Sequence, residues 1–537
     1  MNNYREICTL QFGHYANFVG THWWNIQEHG FVFTPGENVE INNKILYREG
    51  QTLKGEPTYT PRLLLVDLDD SLGSLPKEGC LYYGKPTKEL NDAVWDENSI
   101  QTQEQDEIVK NQYLLDLESN RSDVVRKYEL ENNVNVWSDF LYTQFHPETV
   151  TTIKEYQQSS DVHNFNVFPL GKNLWKTQQF NEQFCDNINS FVEECDNMQG
   201  FQTLFDGTDG FAGLSSSCIE HLRDEYHKKS ILAIPIVPSH YKDYDLISEE
   251  DERKSQINDC LRIINLAMCF HDLSELSSIF IPLSIIENGW KRPFVNRSFK
   301  NITYNNKLPY HTSSLLAIAL DTFTLKYRLK KELYTLDHLT YDLCQHNRKL
   351  VAASLCMPFP LGNSDNLLDT LDKWDGPLTQ SITPNYNLGS DRMLNVLCAR
   401  GISQNKLKKP SGNAQEQFNM PAYKCETVEE MLKFYLSCTS FGSASQVISM
   451  EKGLEIKAPT PNIFNENIKD NPLQVLAGLH SGNDVGNIID SLLKDVKKLN
   501  FKRFHQFIDS GVEVDDYKEC IDKLMDFKDC YEDGGLI

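Results

Sequence analysis

The sequence predicts an α/β fold: a doubly wound parallel sheet, a second mixed α/β domain and C-terminal helices. Three observations point there. Strand-like and helix-like segments alternate through the first 245 residues, the pattern of strand–helix–strand crossovers. RLLLVDL (Arg62 to Leu68) is a continuous apolar run, as in strands of parallel sheets covered on both faces. Beyond Val485 the apolar residues fall at helical spacing.

The elements follow in order. ICTLQF (Ile7 to Phe12) is a short strand, and NFVGTHWWNIQ continues with helical spacing. From about Pro76 to Asn133 the chain is polar and charge-rich, which predicts an inserted surface loop with helical fragments. In FNEQFCDNINSFVEECDNM, Phe184, Ile188, Phe191, Val192 and Cys195 share one helical face. QGFQTLF then reads as strand, LSSSCIEHLRDEY as helix and SILAIPIVP as strand, and the first unit closes near residue 245. A second region covers 246–425. EEDERKSQINDCLRIINLAM is an amphipathic helix, IFIPL a strand, and SSLLAIALDTF a helix apolar all round, hence buried between layers. KLVAASLCMPFPL and RMLNVLCARGI read as strands of a second sheet, and 408–421 as a polar loop. The last region, 426–537, opens on a capping box, Thr427 with Glu430. It continues with a stripe from Val485 to Leu499 and ends with a helix from about Asp516 to Tyr531.

Composition narrows the function classes. Seventy-six acidic against 52 basic side chains give a net charge of −24, which argues against non-specific binding to nucleic acid or anionic lipid. The 14 cysteines form no CxxC pair, so zinc-site spacing is absent. Most lie in apolar patterns and read as buried, reduced thiols of a cytosolic protein. The N-terminus lacks a signal-peptide pattern, and no apolar run approaches the ~20 residues that span a bilayer. No GxxxxGK[ST], HExxH or GxSxG motif occurs.

Several segments together resemble tubulin, in order and over nearly the whole chain: REICTLQFGHYANFVGTHWWNIQ, YTPRLLLVDLDDSLGSL, VEECDNMQGFQ with LRDEY, RKLVAASLCMPFP, and FHQFIDSGVEVDDY. LQFGHYANFVGTHWWN, YTPRLLLVDL, VWSDFL, ECDNMQGFQ, LAIALDTFT and FIDSGVE–DD resemble the Misato family more closely still. That family comprises tubulin-like proteins of mitochondria and the spindle.

The resemblance implies a nucleotide site, and the residues show how far it is kept. Tubulin cradles phosphates on G-G-G-T-G-S-G, where glycines let the backbone approach. Here the segment is GTDGFAG: Gly207, Gly210 and Gly213 remain, with Thr208, Asp209, Phe211 and Ala212 between them. Asp206 and Asp209 add negative charge, each costing roughly 3 kcal/mol per phosphate charge at ~5 Å and an effective dielectric near 20. In the opening turn Gly13, Asn17 and Gly20 match tubulin, whereas His14, Tyr15, Ala16 and Phe18 do not, and the Tyr15 ring is expected in phosphate space. Asp67 and Asp69 stand for the tubulin acids, and Asn135 and Trp137 for its Asn-Trp loop with Val136 replacing the second Asn. Where tubulin presents its hydrolytic acid, this chain reads CQHNRKL, with His346 nearest that position.

Two readings follow. In the first, the chain is not an enzyme and acts by binding. The resemblance implies a role in mitochondrial distribution, morphology and fusion, in the cytoplasm and peripherally at the mitochondrial outer membrane. Its implied partners are outer-membrane proteins, tubulin and the cytosolic chaperonin, with a role in spindle microtubule assembly. No cofactor and no metal are expected. In the alternative, the chain binds or hydrolyses GTP, with GDP and magnesium at the same residues, and forms filaments.

Overall fold

The computed structural model describes residues 5–31, 39–51, 55, 57–75, 109–119, 128–158, 164–245, 248–362, 364–389, 393–407, 420–440, 443–464 and 472–532. Much of the polar segment 76–133 and most of the 408–421 loop lie outside them. Within that segment, the helix Gln112–Glu118 starts at Asn111, whose side chain accepts the Leu114 N–H.

The first unit alternates as its pattern predicts. Strand β1 (Ile7–Phe12) leads into helix α1 (His14–His29). Then come β2 (Leu63–Leu68), β3 (Val150–Ile153), α2 (Phe168–Trp175) and α3 (Gln178–Glu193). The unit continues with β4 (Gly200–Asp206), α4 (Gly210–Glu225), β5 (Ser230–Ile236) and α5 (Glu249–Leu276). A short strand, β6 (Ile279–Phe280), pairs in parallel with β5. It completes the six-stranded sheet β3-β2-β1-β4-β5-β6, every pair of which is parallel. The IFIPL strand, grouped with the second region in the sequence pattern, therefore belongs to the first sheet. On the face of α3, Phe184, Ile188 and Phe191 are buried, whereas Val192 is half-buried and Cys195 lies beyond the helix end.

Helix α6 (Pro309–Phe323) is the apolar helix read from SSLLAIALDTF, and all its residues from Tyr310 to Phe323 are buried. It packs against α1 and, on its other side, the second sheet. That sheet contains β7 (Ala352–Cys356), β8 (Gln380–Ser381), β9 (Met393–Arg400), β10 (Ala444–Met450) and β11 (Val475–Gly482), in the order β8-β7-β11-β9-β10. It is mixed: β9 and β10 run parallel, while β11 is antiparallel to both neighbours. Helix α7 (Val428–Thr439) precedes β10. Thr427 caps it through the Glu430 N–H, but the Glu430 carboxylate accepts from Glu426 rather than Thr427, so only half of the expected box forms. Helices α8 (Gly486–Val496) and α9 (Val514–Asp529) pack on each other and across α5.

Cysteine burial is more mixed than the sequence predicts. Cys8, Cys218, Cys269, Cys398 and Cys520 are buried, Cys438 is exposed, and the other described cysteines are half-buried. Several of the half-buried ones lie at the ends of elements, where the cover is thinner.

An ionic knot joins the two halves. Asp321 of α6 is 2% exposed and pairs with Arg328 at 2.8 Å and with Arg400 at the end of β9. Arg328 also donates to Gln27 of α1 at 3.1 Å. Breaking one member of a buried set leaves the others uncompensated. Asp321→Asn is expected to cost about 3–5 kcal/mol, measured by denaturant unfolding of the full chain.

Candidate functional site

Sheet order places the site. β1 leads by way of α1 to β2 on one side, and β4 leads by way of α4 to β5 on the other, so the winding reverses between β1 and β4. Ligand crevices of open parallel sheets form at such a point, beyond the strand C-termini. A cavity of about 510 Å³ lies here, lined among others by His14, Tyr15, Asn135, Asp206, Thr208 and Asp209.

The two helix N-termini that face the crevice are the natural anion sites. Helix α1 begins after Gly13, whose φ of 104° suits glycine and which has no side chain to cap with. The cap comes from the neighbouring strand instead. Phe12 stands in register with Phe205, so the next residues, Gly13 and Asp206, are side by side. The Asp206 carboxylate accepts the Tyr15 N–H at 3.0 Å and the Ala16 N–H at 2.8 Å. These are the amides that an N-cap side chain normally satisfies. A Cβ on residue 13 would come within 2.6 Å of the same carboxylate.

Helix α4 is closed in a similar way. Gly210 N–H donates to the Phe165 carbonyl at 2.9 Å, Phe211 N–H to the Asp209 carboxylate at 2.9 Å, and Ala212 N–H to the Asp209 carbonyl at 3.2 Å. The glycines of GTDGFAG serve packing. A Cβ at Gly213 would lie 1.8 Å from the Phe168 carbonyl oxygen, and one at Gly210 within 2.8 Å of the Phe165 ring, so α4 can approach the α2 segment only without side chains there. Gly207 meets Pro235 and Leu266, and Gly20 abuts the Gln11 amide.

The other predicted residues divide. Asp67 is fully buried and accepts from Asn17 Nδ2 at 2.9 Å, Trp137 Nε1 at 2.8 Å and Leu68 N–H at 2.8 Å. Asn135 reaches the cavity wall. Asp69 is exposed in the turn after β2 and does not line the cavity. His346 is exposed in a turn with φ of 55°. Tyr15 lines the cavity, and its hydroxyl is tied to Thr312 of α6 at 2.8 Å.

Three contributors escape sequence reasoning. Asn265 of α5 donates to the Thr208 carbonyl at 2.8 Å and accepts from the Phe168 N–H, which fixes the loop. Tyr241 bonds the Thr208 hydroxyl at 2.9 Å. The Arg262 guanidinium stacks 3.6 Å over the Tyr241 ring and pairs with Asp243 and Asp259.

Burial shifts the Asp206 and Asp209 acids upward. Burial, reinforced by the nearby Asp67, raises the Asp206 carboxyl to about 7, although the two helix amides and His14 pull the other way. Burial and the charge of Asp206 push Asp209 well above the usual carboxylate range.

The comparisons with known proteins agree over the whole length. A family model described as Misato Segment II tubulin-like domain matches residues 5–119, and one described as Tubulin domain matches 128–329. Protein misato of Drosophila melanogaster is 33% identical, with 99% of this chain and 100% of the relative covered. The chain belongs to the Misato family. Human Protein misato homolog 1 is 31% identical over 99% of this chain and 98% of its own, and the Danio rerio homolog 30% over 98% and 97%.

In this Misato chain the residues do not fit a triphosphate. The Tyr15, Ala16 and Phe211 amides are already bonded to the Asp206 and Asp209 carboxyls, and Arg262 is committed to Asp243 and Asp259. Lys242 stands exposed at the rim. No cluster of three metal-ligating side chains occurs among the described residues.

The raised Asp206 value has a stability consequence. Between about 4 and about 7 the folded state holds a proton that the unfolded chain has released, so stability falls as pH rises through that window. The slope from one such group is at most about 1.4 kcal/mol per pH unit. Asp206→Asn is expected to remove this contribution, read as the difference between wild-type and variant unfolding free energies across that window.

Proposed function

We propose that this Misato protein acts by binding rather than by turnover, as a tubulin-like protein whose nucleotide site is degenerate. It regulates mitochondrial distribution, morphology and fusion from the cytoplasm and the outer mitochondrial surface, and contributes to spindle microtubule assembly. Its partners are mitochondrial outer-membrane proteins, tubulin and the cytosolic chaperonin.

One observation carries the non-catalytic part: the Asp206 carboxylate is bonded to the α1 amides that would otherwise meet a phosphate. Among the described residues no carboxylate bonds His346, which supports it further, because a general base needs an orienting partner. The cellular part is supported by family membership across 99% of the chain. The tubulin-like fold gives chaperonin contact a physical reason, since its sheets pair strands distant in sequence and such topologies fold slowly. Among the described residues no helix is long and apolar enough to cross a membrane.

The reading is tested on purified protein and in cells depleted of the endogenous protein. Heat extraction followed by chromatography is expected to release no stoichiometric GTP or GDP. His346→Ala is expected to restore the mitochondrial network as fully as the wild type. Stoichiometric nucleotide, together with failure of His346→Ala to rescue, would favour the GTP-hydrolysing alternative.

A further inference from the structure

At the far end of β1 from Gly13, two cysteines face each other. Cys8 lies in β1 and is 3% exposed, whereas Cys195, just past α3, is half-buried. Their sulfurs are 4.0 Å apart. Both lie near the Phe191 carbonyl, Cys195 Sγ at 3.3 Å and Cys8 Sγ at 3.9 Å.

The third member is Arg62. Its side chain is 8% exposed, and its Nη1 donates to Cys195 Sγ at 3.6 Å. Arg62 forms no ion pair among the described residues, and its Nε has no hydrogen-bond partner. A buried guanidinium without a counter-ion is costly. Negative charge that develops on Cys195 Sγ would lie against it. Two carboxylates stand nearby and oppose it. Glu6 accepts the Asp196 and Asn197 N–H groups at 3.4 and 2.9 Å, and Glu194 pairs with Arg48 at 2.5 Å. The hydrogen bond to Cys8, with help from Arg62, lowers Cys195 from its ordinary value against burial, whereas the same bond and burial raise Cys8. A half-buried thiol beside a guanidinium, with a buried thiol 4.0 Å away, is the arrangement of an attacking and a resolving cysteine.

We propose that Cys195 and Cys8 form a peroxide-sensitive dithiol, in which Cys195 is oxidised first and Cys8 resolves it to an intramolecular disulfide. The oxidant is hydrogen peroxide. The Cys195 thiolate attacks one peroxide oxygen, the O–O bond breaks, and the departing hydroxide takes up a proton as water. Cys195 is then a sulfenic acid. The Cys8 sulfur next forms the S–S bond, the sulfenic hydroxyl leaves, and it departs as water with the Cys8 thiol proton. Two thiols are oxidised and one peroxide becomes two waters. The bridge ties the start of β1 to the end of α3.

The test uses the purified full chain treated with limiting hydrogen peroxide, then alkylated and digested without reductant for mass spectrometry. A Cys8–Cys195 linked peptide is expected, absent from Cys8→Ser and from Cys195→Ser. In Cys8→Ser, dimedone is expected to trap Cys195 as the sulfenic acid. Arg62→Gln is expected to slow the reaction by about tenfold or more, through loss of thiolate. Cys438 is the internal reference, being the exposed one among the described cysteines. Oxidation of Cys438 ahead of Cys195, or both Cys8 and Cys195 remaining free to alkylate after treatment, would overturn the proposal.

Discussion

The bond from the Asp206 carboxylate to the Tyr15 and Ala16 amides is the constraint around which this site is arranged. A helix start leaves amides without partners, and a helix that begins on glycine cannot cap itself. An external anion or an internal one must do it. This chain supplies the internal one from the end of the neighbouring strand, at the register position that parallel pairing dictates. A resident carboxylate and a bound phosphate would compete for the same donors. The tether gives the carboxylate a high local concentration, so an external anion must displace it as well as bind.

The remaining features follow from the same closure. The α4 amides are bonded to Phe165 and Asp209, and Gly210 and Gly213 are required by packing alone, because α2 and its preceding segment press against them. Asp67 likewise works as a structural hub, joining β2, α1 and the Trp137 turn. Overpacking a tight contact costs typically ~1–3 kcal/mol. The Asp321 knot and the buried helix α6 hold the two sheets together independently of any ligand.

Much of the fold was legible in the sequence. The strands around RLLLVDL and SILAIPIVP, the buried helix in SSLLAIALDTF and the stripe in α8 all declare themselves by apolar pattern. VLAGLHSG does not, although it is β11 at the centre of the second sheet, because Ala477, Gly478, Ser481 and Gly482 carry little apolar signal. Ala444–Met450 and Val150–Ile153 are similarly faint. At the site, the presence of Asp206 and Asp209 in the loop was legible. Their actual partners were not, since capping by Asp206 depends on sheet order, and the roles of Asn265, Tyr241 and Arg262 depend on how α5 crosses the crevice.

The most direct test is amide hydrogen exchange at Tyr15 and Ala16, with and without excess GTP and magnesium. Unchanged exchange at both amides is predicted, because Asp206 already holds them. A GTP-dependent change confined to these amides and the Gly207–Gly213 turn would contradict the account, since it would mean that the carboxylate yields its place to a nucleotide.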